Sequence, residues 1–145
     1  MDNNYIVSNY RKLKEDITAR LISVGRNADD ITLVAVSKTF SASDVKTLYN
    51  EGHIIFGENK VQEMTEKHSI LAEENIQWNL IGHLQTNKVK YITGFVSMIQ
   101  SVDSEKLALE IDKYAAKDKR VIDILVQVNT SGENQKSGVS PEDAP

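Results

Sequence analysis

Lys38 directly follows the apolar run Leu33-Val34-Ala35-Val36-Ser37. An amine leaving a buried strand is partly desolvated, which disfavours the ammonium form and leaves a nucleophile suited to imine formation with an aldehyde. The same position also suits a lysine that lays its stem on apolar surface and keeps its charge in water. Its company adds weight. If Val34, Val36 and Lys38 share one strand face, the period of two places a polar residue at four further strand ends. These are Asn59 after Ile55 and Gly57, His83 after Asn79 and Ile81, Ser101 after Ser97 and Ile99, and Asn129 after Leu125 and Gln127. Each has a plainer use taken singly: Asn59 with Gln62 fits a capping box, Asp103 or Ser101 fits a cap, and His83 fits the opening of a turn. Metal chemistry has no comparable set, because His53, His68 and His83 stand on different elements without a carboxylate at ligand spacing, and there are no cysteines.

Helical and strand patterns alternate to position these residues. Ile6, Tyr10, Leu13, Ile17, Leu21 and Val24 recur at helical spacing, with Asn3 or Asn4 as cap and Gly25 as stop. Strand 31–37 follows, then a helix opened near Ser41 or Ser43 and ended by Gly52, strand 53–57, and a helix carrying Val61, Met64, His68 and Leu71. Strand 76–82, a short helix over about 85–92, strand 96–101, a helix from Asp103 to about Lys117 and strand 121–129 complete the series. The alternation predicts an α/β domain over 1–145 with about five parallel strands. Such a sheet is either doubly wound or part of a (β/α)8 TIM-type barrel. In the last strand Ile122, Ile124, Val126 and Val128 form an apolar face suited to lie under helices. The polar face then looks into a barrel, whose sites lie at the carboxyl ends of the strands. Asp123 falls on that inner face near the opposite end, as a paired or solvated acid.

The 145 residues carry a net charge of −4 with interspersed signs, so nothing points to nucleic acid or an anionic membrane as partner. The start Met1-Asp2-Asn3-Asn4-Tyr5 has no basic segment leading into an apolar one, and no later stretch is apolar for long enough to span a bilayer. A cytoplasmic location is the expectation.

Five segments carry a resemblance in order along the chain: Val34-Ala35-Val36-Ser37-Lys38-Thr39; Phe56-Gly57-Glu58-Asn59-Lys60-Val61-Gln62-Glu63; Trp78 through Lys88; Ser101-Val102-Asp103-Ser104; and Gln127-Val128-Asn129-Thr130-Ser131-Gly132-Glu133 through Lys136-Ser137-Gly138. They closely resemble successive motifs of the pyridoxal phosphate homeostasis protein family. The resemblance implies an alanine-racemase-like barrel of the type III pyridoxal-phosphate class, with Lys38 as the Schiff-base lysine. It implies a cofactor carrier in intracellular homeostasis rather than an enzyme, with small amines or amino acids as further partners. Lys136 falls in the second lysine motif and is a candidate for passing cofactor between amines; a solvated loop lysine is the simpler alternative. Phe40 stands where a proline is common, and Asn79 where a histidine or tyrosine is common.

Family members continue through the remaining barrel strands, whereas this chain ends at Pro141-Glu142-Asp143-Ala144-Pro145, so it reads as truncated. Five strands cannot close an eight-stranded barrel, and an open edge predicts self-association where a full-length member is monomeric. Thr130-Ser131-Gly132 is the only candidate nest for the cofactor phosphate. Two alternatives stay open. A racemase-like enzyme needs a second acid-base group, and Tyr49, Tyr91 and Tyr114 all sit in helical patterns. A non-covalent α/β phosphate-ligand domain would use Lys38 as an anion contact.

Overall fold

A computed structural model describes residues 4–133 and 135–144. Asn3, one of the two caps expected for the first helix, lies outside them. The elements run α1 (Asn4–Ser23), β1 (Ala35–Val36), α2 (Ala42–Asn50), β2 (Ile55–Glu58), α3 (Val61–Ile70), β3 (Gln77–Leu80), β4 (Met98–Val102), α4 (Glu105–Lys117) and β5 (Asp123–Val126), with single 3-10 segments at Ala28–Asp30 and Thr86–Tyr91. All neighbouring strands are parallel, and their spatial order is their chain order. A doubly wound sheet reverses direction at a switch point; this one never does, which makes it an arc of a (β/α) barrel.

Local signals set the boundaries. Gly25, at φ 71°, ends α1 in the left-handed conformation that glycine adopts without steric cost. Ser41 caps α2: its hydroxyl accepts from the Asp44 amide, while the Asp44 carboxylate accepts from the Ser41 amide. Ser104, rather than Asp103 or Ser101, caps α4 by accepting from the Leu107 amide. The residue before α3 is Lys60, so Asn59 is not used as a cap. The expected strand 31–37 shortens to two paired residues, because β1 is an edge and has a ladder partner on one side alone.

Register shows which residues share a face. Val36, Gly57, Asn79, Met98 and Asp123 form one row across the sheet, and Glu58, Leu80, Ile99 and Ile124 form a neighbouring row of opposite facing. Phe56, Trp78, Leu80 and Ile99 are buried with Met64, Leu107 and Ile111 in the core between sheet and helices. Burying each such side chain contributes roughly 1.5–3 kcal/mol. The expected parity fails in β4: Met98, not Ser97 or Ile99, lies level with Gly57 and Asn79. An irregularity between Ile99 and Val102 then inserts one residue relative to β5 and changes the facing again. On β5, Ile124, Leu125 and Val126 are all exposed, so both faces of this edge strand are uncovered.

Candidate functional site

Lys38 occupies the corner of a tight turn at the carboxyl end of β1. The Phe40 amide donates to the Ser37 carbonyl at 3.1 Å, closing the turn around Lys38 and Thr39. Thr39 sits at φ 69°, a left-handed conformation that turns normally give to glycine and that a β-branched residue avoids. The Lys38 side chain is exposed, and among the described residues no group pairs with its amine. Burial therefore does not desolvate it, contrary to the expectation from a buried strand end. What fixes Lys38 is the backbone on either side.

That backbone is held by charged groups that pattern reading passes over. Lys67, on α3, is buried and donates from Nζ to the Ser37 carbonyl at 2.7 Å, to Glu58 Oε1 at 2.6 Å and to Glu63 Oε1 at 2.8 Å. The Ser37 hydroxyl also donates to Glu58 Oε1, at 2.6 Å, and the Thr39 amide donates to Glu63 Oε1, at 2.7 Å. The bond from Lys67, assisted by the Thr39 amide, holds the Glu63 carboxyl below the usual carboxylate range against the opposing effect of desolvation. Glu58 is wholly buried, and its second oxygen Oε2 has no partner among the described residues. Two sequence features mark these residues without revealing that they meet: an acid closing the apolar strand Ile54-Ile55-Phe56-Gly57, and the Glu63–Lys67 pair one helical turn apart.

Asn59 continues from β2 level with Ile81, one register step from Lys38, and its side-chain amide makes no hydrogen bond among the described residues. Its backbone lies so close to Gly82 that a Cβ there would meet the Asn59 carbonyl oxygen at 2.2 Å. His83 pairs through Nδ1 with Asp103 Oδ2 at 3.2 Å, which gives Asp103 an orienting role in place of the cap expected of it. Ser101 is buried and donates its hydroxyl to the Gly82 carbonyl at 2.6 Å, so it braces the end of β3.

Asn129 has become the hub of a loop. Its Nδ2 donates to the carbonyls of Glu133 and Lys136, and its Oδ1 accepts from the Ser131 hydroxyl and the Gly132 amide. The loop returns to β5 through Val139, which pairs beside Val128. Within Thr130-Ser131-Gly132 and the residue after it, the Gly132 and Glu133 amides are taken by Asn129 and Ser131, so the nest has little left to offer a phosphate. Lys136 is exposed and paired with Glu133 at 2.7 Å.

The six expected residues thus all lie at the carboxyl end of the sheet, five of them in two groups. Lys38 and Asn59 follow the ends of the neighbouring strands β1 and β2. His83, Asn129 and Lys136 line a cleft of about 450 Å³ with Ile81 and Ser137, and this cleft does not reach Lys38. Ser101 lies behind Gly82. Among the described residues no cluster of three or more His, Asp or Glu is placed to hold a metal, and no helix is long and apolar enough to cross a membrane.

The family described as Alanine racemase, N-terminal domain, matches residues 4–145. The chain belongs to the alanine racemase N-terminal domain family. A family relative from Aquifex aeolicus, named pyridoxal phosphate homeostasis protein, is 44% identical over 118 residues, covering 81% of this chain and 52% of that protein. The protein of the same name from Pasteurella multocida is 34% identical over 140 residues, covering 95% and 60%. Both names denote homeostasis and neither a reaction. The solved structure of PipY from Synechococcus elongatus with pyridoxal phosphate bound matches with a TM-score of 0.75 at 33% identity, covering 88% of this chain and 59% of PipY. This member of the alanine racemase N-terminal domain family therefore spans about three-fifths or less of the length of these three proteins.

Proposed function

We propose that this chain is part of a cytoplasmic pyridoxal 5'-phosphate carrier that holds its cofactor through an imine to the Lys38 amine. The observation that carries the reading is an amine at the carboxyl end of a barrel strand, unpaired among the described residues, on a turn held from both sides. When bound, the cofactor supplies an electrophilic aldehyde on an electron-withdrawing ring. Lys38 supplies the amine, and Asn59, at the end of the neighbouring strand with a side-chain amide that makes no bond among the described residues, is the group to orient the ring. His83, held by Asp103, reaches the adjoining cleft, and Lys136 stands on its rim as a second amine. Asn129 serves the site by shaping the loop that carries Lys136.

The residues fit the aldehyde end of the cofactor better than its phosphate. A phosphate brings nearly two charges and is best met by fixed N–H donors. The central amides of the Thr130–Glu133 loop are already used, so this chain should favour pyridoxal phosphate over phosphate-free pyridoxal only weakly.

The test is an absorbance titration with pyridoxal phosphate of the chain and of Lys38→Ala, followed by incubation with L-alanine in deuterated water. An imine band in the first protein, its loss in the second, and no α-proton exchange beyond that of free cofactor support the carrier. Exchange well above that of free cofactor and dependent on Lys38 would make the protein racemase-like. Binding without the band, retained in Lys38→Ala, would reduce Lys38 to an anion contact.

A further inference from the structure

We propose that Lys67 is the positioning residue of Lys38: through the Ser37 carbonyl and the Glu63 carboxylate it holds the strained Thr39 turn that aims the Lys38 amine. The role as amine donor rests on the carrier reading; the brace itself does not.

Thr39 is the strained point of the turn. A β-branched residue at φ 69° relaxes to negative φ unless its surroundings fix it, and such a change would redirect the neighbouring Lys38 side chain. The Thr39 amide is bound to Glu63 Oε1, and the same oxygen accepts from Lys67 Nζ. On the other side of Lys38, the Ser37 carbonyl accepts from both the Phe40 amide and Lys67 Nζ. One ammonium group therefore grips the turn before and after Lys38.

The anchorage is rigid because of where Lys67 sits. Its side chain is 6% exposed, and its third bond goes to Glu58, whose side chain is 0% exposed. Glu58 in turn takes the Ser37 hydroxyl, so α3, the end of β2 and the end of β1 are locked at one point. Lys67 itself spends all three of its donors in this way and is unsuited to compete as the reactive amine.

The experiment compares wild type with Glu63→Ala, Lys67→Met, Thr39→Gly and the double variant Thr39→Gly/Glu63→Ala, each checked for native far-ultraviolet circular dichroism. Glu63→Ala cuts the grip on Thr39 while leaving the buried Lys67–Glu58 pair, so it remains informative where Lys67→Met fails to fold. Two readouts are taken. The first is borohydride trapping of phosphate-free pyridoxal at Lys38 relative to the exposed lysines Lys12 and Lys117. The second is hydrogen exchange at the Thr39 amide, which involves no cofactor.

In Glu63→Ala, trapping at Lys38 should fall by about tenfold or more while Lys12 and Lys117 are unchanged, and the Thr39 amide should lose protection. Glycine adopts positive φ freely, so Thr39→Gly/Glu63→Ala should regain most of the trapping. Unchanged Lys38 trapping in folded Glu63→Ala, or no recovery with glycine at position 39, would overturn the proposal. If wild type labels Lys38 no faster than Lys12, the carrier reading fails, and the brace is then judged on Thr39 exchange alone: retained protection in Glu63→Ala would refute it as well.

Discussion

Lys67→Met removes the cation of a buried network without changing its shape much. The Glu58 side chain is 0% exposed and, among the described residues, would be left with the Ser37 hydroxyl as its single donor, its Oε2 being without a partner already. Breaking one side of such a pair costs about 3–5 kcal/mol, because the surviving charge stays buried and uncompensated. A domain of this size has about 5–15 kcal/mol in total, so the variant would sit near the limit of folding. At about 2–4 °C for each kcal/mol, its Tm should drop by about 6–20 °C. Urea or thermal unfolding followed by circular dichroism measures this directly. Lys67→Met/Glu58→Leu removes both charges, and apolar replacement of a buried pair is often close to neutral, so it should recover most of the loss. A cost below about 1 kcal/mol for Lys67→Met, or a double variant no more stable than the single one, would refute the claim that the pair is a coupled buried interaction.

Three further outcomes are expected. His53 is buried, donates from Nε2 to the Ile55 carbonyl at 2.7 Å and accepts at Nδ1 from the Tyr10 hydroxyl. Burial pushes its pKa down, so it favours the fold while neutral; that stability is present above the unfolded value of 6.5 and is lost as pH falls through the folded value, which urea midpoints between pH 7.5 and 5 should show. His68, stacked on Phe95, adds to the same trend by its own burial, and His53→Gln should flatten part of it. Gly82→Ala drives a methyl into the Asn59 backbone and should cost about 1–3 kcal/mol or more in urea unfolding, whereas Gly94→Ala, with open space around it, should show no such clash. Leu125, half exposed on the open strand β5, should promote self-association, so sedimentation of Leu125→Lys should show a smaller species than wild type.

The order and type of the elements were legible because each strand is a short run rich in apolar residues leading to a polar one, and the helical stretches repeat apolar residues at three- and four-residue spacing. The barrel followed from strand parity, and the sequential parallel order agrees with it. Parity misjudged β4: Met98, not Ser97 or Ile99, lies level with Asn79, and the residue inserted between Ile99 and Val102 shifts the facing again, neither of which a strict period of two reveals. Of the two openings read for α2, Ser41 or Ser43, the cap is Ser41, while the alternative uses of Asn59 and of Asp103 or Ser101 as caps fail because Lys60 and Ser104 precede α3 and α4; Asp103 pairs with His83 instead. The Lys67–Glu58–Glu63 network was missed for a physical reason. Patterning treats charged residues as solvated, and nothing in a linear pattern says that Lys67 turns inward to meet an acid on β2 and a carbonyl on β1. Asn129 was placed at the right end of its strand, but its side chain serves the loop, as an asparagine before Thr130-Ser131-Gly132 often does through local bonds to the backbone.

The central claim is that Lys38 is the amine that takes the cofactor, and trapping with pyridoxal phosphate and borohydride followed by peptide mapping tests it most directly. The turn at Ser37–Phe40 presents that amine exposed and unpaired, so the label should fall on Lys38 and vanish from that peptide in Lys38→Ala. Label spread over Lys12, Lys60 and Lys117, with Lys38 unmodified, would contradict the account.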